Sequence, residues 1–364
     1  MGYYLVPELL QHNHEVHVTT RSARDGDTSQ CHYICGDAHN VEFIERVTSK
    51  TNFDAIIDFM VYSTSEFKNR YTLLLQRTGH YLFLSSYRVF ADTGLNPITE
   101  LSPRLLNVCA DKEYLATDEY ALAKARQEDI LRNSGRNNWT ILRPCITYSR
   151  NRFQLGTLET NTICYRALQD IPVLMARDIL SQNTTMTWAG DVARLVAKLV
   201  LTEDARGEDF NIVTNEHHTW SEIASYYKEY IGLEVVEVDL KSYAKVVGGK
   251  YQIKYDRLFH RILDNRKVLQ TTGIQQSEFL PLKAGLKNEL NAFKIKPCFQ
   301  YSNLGLNARM DKATKSQICL DGLTKADKAN YLSEKYPSFR RMLHIRAKVA
   351  AVIHRLANLR TQPE

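Results

Sequence analysis

A chain of 364 residues is long enough for two domains, and its 44% hydrophobic and 24% charged content excludes a mostly disordered protein. No apolar run approaches the roughly 20 residues that span a bilayer, which excludes an integral membrane protein. The net charge of +6 is uneven, with 13 Lys/Arg against 5 Asp/Glu in residues 296–364, so a basic tail follows a near-neutral body. A uniformly basic nucleic-acid binder has a different charge pattern, and nucleic acid is not an expected partner.

In chain order, Val16–Thr20 reads as a strand, followed by a helical pattern at 40–49 and a second strand at 54–59. Helical spacing returns at 66–77, a strand at 80–85, a longer helix at 118–134 and a strand at 139–143. Strands that are apolar on both faces, alternating with helices, predict a parallel sheet covered on two sides. Later elements are a helix at 189–202, a strand at 210–213, a helix after Thr219, a strand at 235–238 and a helix near 282–293. From Lys296 a Pro-, Asn- and Gly-containing stretch leads to an amphipathic pattern over 339–359. Its apolar stripe of Met342, Val349, Ile353 and Leu356 should dock on the body or on a second subunit.

The seven cysteines are scattered, and Cys31 and Cys35, the one close pair, lack the second pair of a zinc site. Among eleven histidines, His12/His14 and His217/His218 are the closest pairs, and neither has a carboxylate–histidine set at ligand spacing. No metal is expected. No secretory signal precedes the first helix, so reduced thiols in a cytoplasm are the expectation.

Tyr120-Ala-Leu-Ala-Lys124 places a phenol and an ammonium one turn apart on a helix. A phenol with a reference pKa of about 10 is a poor base at neutral pH. A nearby cation favours the phenolate, so the pair can exchange a proton with a hydroxyl or ketone. The same spacing recurs at Tyr331…Lys335, where an exposed helix turn is the plain reading. Context separates the two. Strand 80–85 runs into Ser85-Ser86-Tyr87-Arg88-Val89-Phe90, which sets two hydroxyls at a strand's C-terminal end, where open α/β sheets bind ligands. The strand after the helix ends in Arg143-Pro144.

These pieces, in this order, resemble the extended short-chain dehydrogenase/reductase family, the NAD(P)-dependent nucleotide-sugar epimerases, dehydratases and reductases. The resemblance spans residues 2–293. Gly2-Tyr-Tyr-Leu-Val-Pro-Glu-Leu-Leu is similar to the end of the glycine-rich turn with its helix, Glu15–Arg21 to the second strand, and Gly36-Asp37 to the adenine-contacting step. Ser85-Ser86-x-x-Val-Phe, Tyr120/Lys124, Leu142-Arg-Pro-x-x-x-Tyr148, Asp191-Val-Ala and Phe210-Asn-Ile match later landmarks.

The resemblance implies a Rossmann-type doubly wound parallel sheet over 1–165, a smaller α/β substrate lobe over 166–295 and a basic helical extension over 296–364. It implies Tyr120 as proton donor and acceptor, Lys124 lowering its pKa and holding the nicotinamide ribose, and Ser86 holding the reacting oxygen, with Ser85 as the fallback. Gly2, Arg21, Ser22, Asp37, Lys124 and Pro144 would contact the cofactor. Ser86, Tyr148 and Arg150 would contact a nucleotide-sugar substrate, and a homodimer is the expected assembly.

At the end of the second strand, Thr19-Thr20-Arg21-Ser22 replaces the acidic residue that holds the ribose of NAD. An Arg beside a hydroxyl suits the 2′-phosphate of NADP, so NADP is expected and NAD remains the alternative. Ile146 and Ser149-Arg150 depart from the family's Asn and Gly-Pro, which leaves the sugar open. A second reading is a non-catalytic NADP-binding sensor or scaffold whose basic tail holds RNA, a membrane or a protein. If Gly2 is the third glycine of the turn, about 10–15 family residues have no counterpart here: the first strand and the first two glycines. The expectation is a truncated start, a gap in the sheet beside strand 16–20, and weak pyrophosphate binding.

Overall fold

The computed structural model describes residues 1–299 and 303–339, with four further positions (341, 342, 345 and 349). Helix α1 (Gly2–Gln11) leads into strand β1 (Val16–Thr20), which pairs in parallel with β2 (Cys31–Cys35), Val16 opposite Cys31 and Thr20 opposite Cys35. The turn after β2 is tight. A Cβ on Gly36 would lie 2.1 Å from the ring of Phe43, which is buried on helix α2 (Val41–Lys50). Gly36→Ala should therefore cost about 1–3 kcal/mol by overpacking, read as a lower thermal midpoint.

The main sheet holds β3 (Phe53–Asp58), β4 (Thr78–Leu84), β5 (Trp139–Arg143) and the strand Glu208–Asn211, all parallel and in that spatial order. Side chains alternate across it, as the period of two requires. Leu82 and Leu84 join a core with α1 and helix Ala189–Leu199, whereas Tyr81 and Phe83 join a second core with Phe67 and Leu74 on the other face. Both faces are covered, as the apolar strands predicted. The helical pattern at 66–77 resolves into two short helices, Thr64–Lys68 and Tyr71–Gln76, separated at Asn69–Arg70.

The expected gap is present. Pairs β1–β2 and β3–β4 belong to separate sheets, and a cavity of about 470 Å³ lies between β1 and β3. Its walls include Leu5, Val6 and Leu9 from α1, and Ile44 and Leu74 from the opposite face. The strand starts lie at the same end, because the His17 ring stands edge-on to Phe53 at 5.3 Å. Among the described residues, no strand pairs with the inner edge of either.

The second lobe is built on β6 (Ile146–Tyr148), parallel to Met186–Trp188, and on Val173–Ala176, parallel to Val235–Val238. Helix Trp220–Ile231 begins with the expected capping box, Thr219 with Glu222. In the tail, helices Leu304–Thr314 and Lys325–Lys335 dock through a buried Arg166–Asp311 pair at 2.8 Å. Tyr331 donates to Asp311 and is fully buried. The Tyr331…Lys335 turn is therefore structural and interior, not the exposed turn its spacing suggested. The stripe predicted over 339–359 lies mostly outside the described residues. Its described members Met342 and Val349 are exposed, so this chain's own body does not cover them. Among the described residues no helix is long and apolar enough to cross a membrane.

Candidate active site

Strand β4 ends at Leu84, and the chain turns through Ser85, Ser86 and the short helix Tyr87–Val89. Ser86 caps that turn, its Oγ accepting the Arg88 N–H at 3.2 Å. Ser85 points elsewhere and donates to Glu128 at 2.6 Å. Glu128 sits on helix Tyr120–Arg132 and takes Nε and Nη2 of Arg143 at 2.8 and 2.9 Å, locking the ends of β4 and β5 to the helix. Burial disfavours this carboxylate, but Arg143 and Arg132 prevail and hold its pKa at about 2.

The helix that carries Tyr120 has a firmly held start. Glu119 accepts from the Ala121 N–H at 2.8 Å, from Tyr114 Oη at 3.1 Å and from Arg88. Arg88 in turn faces Asp256, a buried carboxylate shared with Tyr87, Arg257 and Arg261. Burial opposes its charge, yet Arg257, Arg261 and Arg88 keep this carboxyl below its ordinary range. The Asp256 cluster thereby ties the serine turn to the second lobe.

Tyr120 opens the helix that faces the Ser86 turn, and the Arg88 guanidinium lies 5.2 Å from the centre of its ring. Burial raises its pKa, partly offset by Ser86, Arg88 and Arg152, so the phenol is protonated at neutral pH. Lys124 is 2% exposed, and its Nζ donates to Leu84 O at 2.8 Å and Met60 O at 3.4 Å. Burial pushes its pKa down to about 8, against the pull of Asp58 and Glu128. The resemblance made Lys124 the cation that activates Tyr120. In the structure Arg88 and Arg152 bear on the phenol, while the Lys124 ammonium is spent on two strand-end carbonyls.

Ser86, Tyr120 and Lys124 thus lie near the C-terminal edge of a parallel sheet. The family model described as NAD dependent epimerase/dehydratase family matches residues 1–213, more than half the chain. The chain belongs to the NAD-dependent epimerase/dehydratase family. Solved structures share the fold. A UDP-glucose 4-epimerase from Thermotoga maritima, solved with UDP-glucose, superposes with a TM-score of 0.62 at 17% identity, over 81% of this chain and 95% of that one. A dTDP-glucose 4,6-dehydratase from Bacillus anthracis, in complex with NAD, gives 0.61 at 16% identity over 81% and 93%. Among curated proteins no sequence match was found.

Within this epimerase/dehydratase frame the other predicted residues are spread over several elements. Arg21 and Ser22 are exposed after β1, beside Gly36 and Asp37, because β1 and β2 run in register; Asp37 accepts the His39 N–H. Gly2 opens α1 at the mouth of the cavity, and no side chain caps that helix at Met1. Pro144 is buried, and its carbonyl accepts the Tyr87 N–H at 3.1 Å, which supports the serine turn. Tyr148 is 1% exposed, and its hydroxyl, with no hydrogen-bond partner among the described residues, lies beneath Gly285 where a Cβ would come within contact. Arg150 is exposed, with its guanidinium 4.6 Å from the Tyr3 ring centre.

Arg88 is the residue beside Tyr120 that sequence reasoning missed. Arg88 stood inside the serine motif, and only the fold shows that it faces Tyr120. Arg152 acts on both Tyr120 and the Met1 amino group.

A buried lysine costs stability, so its retention points to function. Lys124→Met should leave the melting temperature unchanged or higher while lowering turnover about 100-fold or more. Equal losses of stability and turnover would make Lys124 merely structural.

Proposed function

We propose that this chain is a nucleotide-sugar epimerase, dehydratase or reductase in which Tyr120 moves the proton. The observation that carries this reading is the placement of Ser86 at the end of β4, of the buried Lys124 donating to the Leu84 carbonyl there, and of Tyr120 one turn before Lys124 with the Arg88 guanidinium over its ring. Ser86 orients the reacting oxygen. Tyr120, protonated at rest, donates its proton to that oxygen in the reducing direction and must lose it first in the oxidising direction. Arg88 and Arg152 favour the phenolate that remains. A bound nicotinamide dinucleotide supplies the hydride chemistry.

The residues fit the cofactor unevenly. Lys124 still has a third N–H for a ribose hydroxyl beyond the two carbonyls it holds, which suits the nicotinamide half. At the pyrophosphate end, the uncapped start of α1 offers backbone amides and a positive dipole end. Arg21 and Ser22, exposed together, favour NADP over NAD. Arg21→Ala should weaken NADP binding about 10- to 100-fold and leave NAD unchanged, as titration of protein fluorescence would show.

The neighbours' bound UDP-glucose and NAD support a nucleoside-diphosphate sugar as substrate. Incubation with NADP or NAD and a panel of nucleotide sugars, with products read by NMR, tests the reading. An epimerised, dehydrated or reduced sugar supports it, and recovery of every sugar unchanged contradicts it.

A further inference from the structure

A second cluster lies at the opposite end of β1 and β2. His17 and His32 are direct partners across the parallel pair, so both side chains project from one face. Glu15 precedes His17 by two residues, and the strand period brings it to the same side. His17 Nε2 lies 2.7 Å and His32 Nε2 3.6 Å from the one oxygen, Glu15 Oε1. One ligand atom from each of the three residues falls within 4.8 Å of the others.

From these positions we propose that Glu15, His17 and His32 form a binding site for a divalent transition-metal ion of the zinc class. Metal–ligand bonds of about 2.0–2.2 Å in a tetrahedron set neighbouring ligand atoms roughly 3.4 Å apart. The Glu15–His32 separation is already close to this, and the Glu15–His17 contact needs to open by less than about 1 Å. Two imidazoles with one carboxylate suit zinc, cobalt, nickel or copper, whereas magnesium and calcium prefer all-oxygen shells.

Two further contacts shape the ligands. Asp27 Oδ2 stands 3.6 Å from His32 Nδ1, on the side of the ring away from Glu15, where a carboxylate fixes the tautomer that leaves Nε2 free. The His17 ring is held between His32, 4.9 Å away, and Phe53. Both histidines keep part of their surface in solvent, with 21% and 32% of their side chains exposed, so an ion can enter and a fourth position stays open. The site would clip together the two strands that lie apart from the main sheet. Sequence inspection passed over it because fifteen residues separate the two histidines, and only the strand register unites them.

Titration of the intact protein with Co²⁺ alone, followed by visible absorption and by displacement with Zn²⁺, tests the proposal. One ion per chain is expected, with the intense visible bands of low-coordinate Co²⁺, and no competition from Mg²⁺. His17→Ala/His32→Ala should lower the affinity at least tenfold. Glu15→Gln, at an exposed position that cannot unfold the chain, should also weaken it, and Asp27→Asn should do so less. Cys31→Ser/Cys35→Ser should leave it unchanged. Absence of stoichiometric binding, unchanged affinity in the double histidine variant, or loss confined to the cysteine variant would each overturn the assignment.

Discussion

Replacing Tyr120 by Phe is expected to lower turnover by about 10²–10⁴-fold, the range that positioned acid–base groups contribute. The ring is held by a helix start that Glu119 and Arg88 fix independently of the hydroxyl, so the variant should fold normally. Substrate and cofactor affinity should change little, placing the loss in kcat. Burial raises this phenol's pKa. Oxidation of substrate, which needs the phenolate, should therefore accelerate as pH rises above neutral, and Tyr120→Phe should abolish that dependence. A variant with wild-type kcat would remove Tyr120 from the chemistry.

The largest stability effect is expected at Glu128. It is fully buried, and it joins Ser85, Arg104, Arg132 and Arg143, so Glu128→Ala removes the bidentate partner of the buried Arg143 guanidinium and leaves it Asp209 alone among carboxylates at ion-pair distance. Removing one member of a buried pair costs about 3–5 kcal/mol, which denaturant titration would measure. The pH dependence follows from the same contacts. The folded-state pKa is held at about 2, below its ordinary value of 4.5. The unfolded chain thus binds the proton more readily. The stabilisation is present in full above about pH 4.5 and is lost as pH falls towards 2. Glu128→Ala should flatten the acid limb of the stability curve; an unchanged limb would place the acid sensitivity in other carboxylates.

Local patterns made much of this molecule legible in advance. Val16–Thr20, Trp139–Arg143 and the strand at 235–238 sit where β-branched and apolar runs placed them, and of the three Trp139–Arg143 is the one buried along its whole length. Helix 120–132 was marked by the chemistry that it carries. Among the described residues β1 and β3 have no common neighbour strand, and a cavity lies between them. Contacts between distant segments were not legible. Asp256 reaching Tyr87 and Arg88, Arg152 reaching Tyr120, and Arg166 pairing with Asp311 each join residues that no spacing rule connects. The burial of Tyr148 was hidden for a related reason: it depends on helix Leu282–Ile295 packing over it through Gly285. Tyr331 was read as exposed because the partner that buries it, Asp311, lies on the preceding helix of the tail.

The central claim is that the Tyr120, Ser86 and Lys124 group performs proton transfer coupled to hydride transfer on a nucleotide sugar. A single-turnover experiment addresses it most directly. The protein is saturated with oxidised NADP, or with NAD in parallel, mixed with a nucleotide sugar from the panel, and the absorbance of reduced nicotinamide is followed on the millisecond scale. The account predicts a transient or lasting rise with at least one sugar, slowed about 10²–10⁴-fold in Tyr120→Phe. Tight cofactor binding with no reduced nicotinamide from any sugar, in either protein, would contradict it and leave a dinucleotide-binding sensor or scaffold in its place.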